Sequence, residues 1–232
     1  MSGPDRARDA FDRPSLEVAN AVLGWRLVRA DPDGTRRVGR IVEVEAYIGE
    51  DDRASHARFG RTGRNTVMYG PPGRAYVYLV YGMHDCLNIV TEPEGSPAAI
   101  LLRAVEPLEG ADAMRTARAR RTEARRRARP PAEVDARAND VSGARPIPTA
   151  RIAAGPGLVC AAFDLDRSLT GADLLDPGAP VHLEPPPPDE PAPVIATGQR
   201  IGVDYARPPW TEVPWRRWIT GNPAVSRPDR SR

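Results

Sequence analysis

The chain has 232 residues, an apolar fraction of 41% and a formal net charge of +2, enough for one sizeable core or two small ones and too little charge to announce a polyanionic partner by itself. No run of 18 apolar residues is present, so a membrane-spanning helix is not expected. The charged start MSGPDRARDAFDRP lacks the apolar stretch of a secretory signal, which predicts a cytoplasmic protein.

Cys86 and Cys160 are far apart and form no CxxC pair, which argues against a disulfide framework and leaves too few thiols for a zinc site. All 33 basic residues are arginine. A GC-rich genome is enough to cause that bias, yet it constrains the chemistry. Schiff-base catalysis needs an amine of depressed pKa, and with no lysine only the N-terminal amine could serve.

Residues 1–13 are expected to be a flexible leader. Residues 15–23 carry apolar residues at helical spacing, with Pro14 and Ser15 at the start and Gly24 after the end. Residues 25–30 predict a strand, DPDG (31–34) a turn, and 36–49 the returning strand. Strict alternation along it puts Val42, Val44 and Ala46 on one face and Glu43, Glu45 and Tyr47 on the other. The second face suits a cleft, or equally a solvent-facing edge strand whose charges discourage aggregation.

Residues 50–74 predict a long loop, of the kind that is usually functional or disordered. Strands are expected over 75–81, 86–91 and 98–107, with Tyr81-Gly82 at the tip of the first hairpin and Arg103 in the last strand. Residues 109–129 predict a helix with eight arginines, 130–150 an irregular and partly disordered stretch, and 155–165 a helix after a glycine-rich turn. The prolines of 183–193 predict an exposed polyproline-like loop, and two strand-like segments close the chain. With no repeat and no clean linker, the elements add up to one α+β domain over 14–227. Its expected architecture is a curved, mostly antiparallel, roll-like sheet with surrounding helices and a protruding β-hairpin, followed by a tail over 228–232.

Arg103 in an apolar strand needs a partner, because an unpaired buried charge is very costly, and Glu43 and Glu45 are the natural ones. A carboxylate beside a guanidinium is favoured in its charged form and can take a proton from an attacking water. A plain buried salt bridge fits the same pattern. Tyr47, Tyr76, Tyr78 and Tyr81 cluster on strands and hairpin ends. They could stack on a planar ligand such as a base or fill a tyrosine-rich core, which suits Tyr76 best. Tyr81 on an exposed tip is a wedge suited to a base stack. His56 stands in the polar loop, as an exposed or hydrogen-bonded histidine commonly does. His84 and His182 have no ligand-like spacing to it.

The blocks GRIVEVEAYIGEDDRASHARFGRTGRN, PGRAYVYLVYGMHDCLNIVT and LLRAVEPLEG resemble the alkyladenine (3-methyladenine, methylpurine) DNA glycosylase family. The likeness extends to DRPSLEVANAVLGWRLVR, GPGLVCAAF, RIGV and PWRRWITGNPAVS, spanning roughly residues 12–227. It implies a monofunctional glycosylase of base excision repair that flips alkylated or deaminated purines from duplex DNA and hydrolyses the N-glycosidic bond. The implied partner is double-stranded DNA containing damaged purines. No metal or organic cofactor, no membrane and no obligate protein partner is implied, and the implied place is the cytoplasm, at a bacterial-type nucleoid.

By the resemblance, Glu45 activates the water and Arg103 helps hold it. Tyr47, His56 and Tyr78 form the base pocket, and Asn88 crowds the 2-amino group of normal guanine. Tyr81 replaces the extruded nucleotide, and Met68 lies near the minor groove. Leu158 stands where the family usually has a basic residue, so one phosphate contact is missing. The arginine-rich helix could compensate or be a solvated face. Two other readings stay open: a binding module without catalysis, against which Glu45 stands, and a hydrolase of free nucleosides, which would not need the hairpin wedge.

Overall fold

In the computed structural model, which describes residues 8–128 and 146–226, helix α1 (Ser15–Ala21) starts where Pro14 and Ser15 predict it. It ends at a turn in which Gly24 adopts φ 97°, a left-handed conformation that suits glycine. Strands β1 (Arg26–Ala30) and β2 (Arg36–Ile48) follow as an antiparallel pair. Then come β3 (Ala75–Val80), β4 (His84–Val90) and β5 (Ala98–Glu109). Helix α2 (Ala111–Ala128) and helix α3 (Pro156–Ala162) precede the short strands β6 (Val181–Glu184), β7 (Ile195–Gly198) and β8 (Arg216–Ile219).

The described strands form a single antiparallel sheet in the order β3-β4-β5-β2-β1-β6. The long β2 is its spine. Arg36–Arg40 pair with β1, whereas Glu43–Glu45 pair on that same side with β8, which also pairs with β7. One strand serving two neighbours end to end is what curls the sheet into the half-barrel of an α+β fold.

The strict alternation expected along β2 fails in its middle. The β2–β5 register slips between Ile41 and Val44. Ile41, Val44 and Ala46 face the main core with Ile100, Leu102 and Val105, while Val42 packs on the other side with Ala104 and Ala224. Each strand thus places two consecutive residues, Val42-Glu43 and Arg103-Ala104, between core-facing neighbours. Such bulges re-aim side chains and are common beside functional sites. Grouping Val42 with Val44 and Ala46 is therefore corrected: a bulge shifts the period by one residue, and composition does not announce it.

The expected leader is also corrected from residue 8 onward. Phe11 is 1% exposed and meets the Trp25 ring edge-to-face at 5.3 Å. Arg8 pairs with Asp173 at 2.5 Å and donates to the Pro72 carbonyl. Residues 1–7, the predicted tail and most of the predicted irregular stretch 130–150 lie outside the described residues.

The arginines of α2 that turn inward bind protein groups. Arg118 donates to the carbonyl of Ile152, and Arg121 reaches Asp85 and Asp164. The proline-rich loop after β6 is tied back to the sheet through Glu190, which pairs with Arg26 and Arg40.

Candidate active site

The bulged face of β2 and β5 opens on a cavity of about 600 Å³. Its other walls are the loop after β2, the β3–β4 hairpin, and the segment Ile201–Tyr205. The loop is ordered by its own polar contacts. Asn65, buried, donates to the carbonyls of His56 and Gly60 and accepts from the Thr62 amide.

At the centre, Arg103 bridges two fully buried glutamates, its Nε donating to Glu43 at 3.1 Å and its Nη1 to Glu45 at 3.1 Å. Glu43 is saturated: Arg216 and the Ser226 hydroxyl also donate to Oε1, and the Ser226 amide donates to Oε2 at 2.6 Å. It is the anchor of the arginine. Glu45 is different. Its Oε2 accepts from Arg103 and from the Tyr47 hydroxyl at 2.9 Å, and among the described residues its Oε1 accepts only from the Ile201 amide at 2.7 Å. A carboxylate offers about four acceptor positions, so one on Oε1 is left. Glu45 lies one hydrogen bond behind the cavity surface, covered by Tyr47, Arg103 and Ile201, all of which line the cavity. Burial works against the charge on Arg103, but Glu45 and Glu43 outweigh it and raise its pKa.

The aromatic wall is built by period-2 alternation along β3. Tyr76 and Tyr78 face the cavity with ring centroids 5.5 Å apart, and the His56 ring stands edge-on to Tyr78 at 4.4 Å. His56 Nδ1 lies 2.9 Å from the Tyr76 hydroxyl. Burial, followed by the charges of Arg64 and Arg58, lowers the His56 pKa to about 4, so its imidazole is neutral at pH 7. Tyr47 presents part of its ring to the cavity while its hydroxyl is sealed against Glu45. Burial first, then the Glu45 charge, pushes its pKa well above the ordinary phenol value, so it remains a donor.

Asn88, opposite Tyr76 in the β3–β4 ladder, is held by the carbonyls of Tyr76 and Cys86 and also lines the cavity. Cys86 beside it has its thiol pushed up to about 12 by burial, which disfavours the thiolate at pH 7. Tyr81 and Gly82 turn the hairpin with φ 51° and 66°, and Tyr81 is 81% exposed at the cavity rim.

The structure thus brings Arg103, Tyr47, His56, Tyr78 and Asn88 together around one cavity, with Tyr81 at its edge and Glu45 buried behind Tyr47, Arg103 and Ile201. Met68 is placed otherwise than expected. It is 2% exposed, packs with Ala57, Tyr76, Val90 and Ala99 and touches only the cavity lining, a buried place unlike the minor-groove contact expected of it. An unbranched apolar residue at the end of a short 3-10 turn fills a gap under an aromatic ring.

Sequence reasoning set Tyr76 aside as core; it is buried, but it also lines the cavity and holds His56. The i, i+2 spacing to Tyr78 was the available signal. Asp52, Arg200 and Ile201 had none, because their contacts span about 150 residues of chain.

Residues 9–223 match the family described as Methylpurine-DNA glycosylase. A protein of Methanocella arvoryzae is 45% identical over 229 residues, covering 97% of this chain and 96% of that protein. One of Streptomyces avermitilis is 42% identical, covering 97% and 94%. One of Bacillus cereus is 38% identical, covering 94% and 96%. All three are assigned as 3-methyladenine DNA glycosylases.

Proposed function

Because the chain belongs to the methylpurine-DNA glycosylase family and is a hydrolase of that kind, we propose that it everts alkylated or deaminated purines from duplex DNA and hydrolyses their N-glycosidic bond with a water activated by Glu45, leaving an abasic site. The observation that carries this reading is the Glu45 carboxylate, with one acceptor position left among the described residues, directly behind Tyr47, Arg103 and Ile201 of the cavity wall. The cavity volume falls within the roughly 300–1,000 Å³ of small-ligand sites, and rings on several walls suit a planar base.

Eversion costs a few kcal/mol of unstacking, least for a damaged base. Tyr81, already exposed, offsets part of that cost by entering the gap. In the pocket the C1′–N9 bond breaks with its electron pair going to the base, the water oxygen bonds to C1′, and the water proton passes to Glu45. The carboxylate also stabilises the oxocarbenium-like sugar. Arg103, anchored by Glu43, and the Tyr47 hydroxyl hold Oε2 and leave Oε1 for the water. A purine that carries a positive charge leaves as a neutral base and needs no acid. His56 is neutral and acts as a hydrogen-bonding partner of the base.

The test is single-turnover excision on duplexes carrying one 7-methylguanine, ethenoadenine or hypoxanthine, with alkali to reveal abasic sites. The native protein is expected to act on at least one of them. Glu45→Gln is expected to lose at least about 10²-fold in rate, the scale of a general base, while binding to an abasic-site duplex changes little. Near-native excision by Glu45→Gln would move the base to another residue. Hydrolysis of free nucleosides with inert duplexes would favour a nucleoside hydrolase.

A further inference from the structure

The step at Glu45 makes no use of an ion pair buried behind the cavity wall. Arg200 and Asp52, both fully buried, form a bidentate pair at 2.6 and 2.9 Å directly behind Tyr47. The guanidinium also donates to the carbonyls of Ala46 and Trp210. Its carbon lies 4.8 Å from the centroid of the Tyr47 ring and 4.9 Å from that of Trp215. A buried ion pair is weak as a stability device compared with apolar residues of the same volume, and Arg200 Nε has no hydrogen-bond partner among the described residues. The position of the cation matters more. It occupies one face of Tyr47, whose ring packs beside Ala54 and Val203 and also lines the cavity.

A ring face attracts a cation through its quadrupole. With a bare guanidinium on one face, a cation stacked on the other would meet like charge across one ring thickness. Asp52 removes that repulsion. Its carboxylate also accepts from the amides of Ala54 and Ile48, which fix it in place beside Arg200.

We propose that the Arg200–Asp52 pair determines lesion charge preference: Arg200 fixes the Tyr47 ring from behind, and Asp52 cancels the arginine's charge so that the ring, where it lines the cavity, accepts a purine bearing a formal positive charge. Both act through Tyr47 and are positioning residues. The inference rests on the reading that the everted base stacks on Tyr47.

The experiment compares single-turnover excision of 7-methylguanine, which is cationic, with that of hypoxanthine, which is neutral, in otherwise identical duplexes. Spontaneous release is subtracted and folding is checked by thermal melting. Asp52→Asn is expected to lower the cationic-to-neutral rate ratio by roughly tenfold or more, the effect of one uncompensated charge at such a separation in a partly screened site. Arg200→Gln, which leaves the carboxylate alone, is expected to raise the ratio. The double variant Arg200→Gln/Asp52→Asn is expected to return it to within a few fold of native.

Equal losses on both lesions in the single variants would mean that the pair only supports the fold, and would overturn the proposal. If Asp52→Asn does not fold, the ratio of Arg200→Gln decides alone, and an unchanged or lowered value overturns it. A native protein inert on both duplexes would instead defeat the glycosylase reading itself.

Discussion

His56 shows how environment assigns a role to a side chain. An ordinary histidine gains a proton near 6.5, but burial and then the charges of Arg64 and Arg58 hold this one at about 4. Between those values the unfolded chain takes up a proton that the native imidazole refuses, so stability contributed by the neutral ring is fully present above pH 6.5 and is lost as pH falls toward 4. Excision should accordingly show no inflection from His56 near 6.5, and its ring protons followed by NMR should titrate with a midpoint near 4. A midpoint near 6.5 would leave part of the His56 population protonated near neutrality and overturn its reading as a neutral partner of the base. Alternation put Glu43, Glu45 and Tyr47 on one face, but it could not rank the two glutamates. Their difference lies in Ser226, Arg216 and Ile201, all distant in sequence, and only the family resemblance singled out Glu45.

At the scale of elements, the β3–β4 hairpin carries the exposed wedge. Its turn needs left-handed conformations at two successive residues, as in the tight hairpin turns that favour Asn-Gly, yet the first of them is Tyr81. A tyrosine there costs about 1–2 kcal/mol, a strain that no packing offsets because the ring is in solvent. Replacing it with glycine removes the strain and adds about 0.5–1 kcal/mol of backbone entropy cost. Tyr81→Gly should therefore leave the thermal midpoint unchanged or raise it by a few degrees, while binding to lesion-bearing duplex weakens. A lower midpoint would show that the ring stabilises the hairpin, and unchanged lesion affinity would remove its role as a wedge. The hairpin was legible because glycine and a β-branched, aromatic period mark it. The paired bulges in β2 and β5 were not, since a one-residue slip is set by the contacts of Val42 with Ala104 and Ala224 across the fold.

Across the whole molecule, the sheet brings opposite charges from remote segments into the interior and satisfies nearly all of them. Glu43, Glu45 and Asp52 all sit fully buried beside arginines. The arginine-rich helix, left open between a DNA contact and a solvated face, turns Arg118 and Arg121 inward onto α3 and its flanks, which only the three-dimensional neighbourhood could reveal. Composition does reach the chemistry in one respect. Guanidinium groups cannot form Schiff bases at neutral pH, and the sequence has 33 of them and no lysine amine. A glycosylase of this composition should hydrolyse the glycosidic bond and stop. The expected outcome is a DNA strand that stays intact on a denaturing gel until alkali is added, with no protein–DNA adduct trapped by borohydride at pH 7. Strand cleavage without alkali, or a trapped adduct, would reveal a Schiff base between a protein amine and the abasic sugar, and would overturn the expectation that the enzyme stops after hydrolysis.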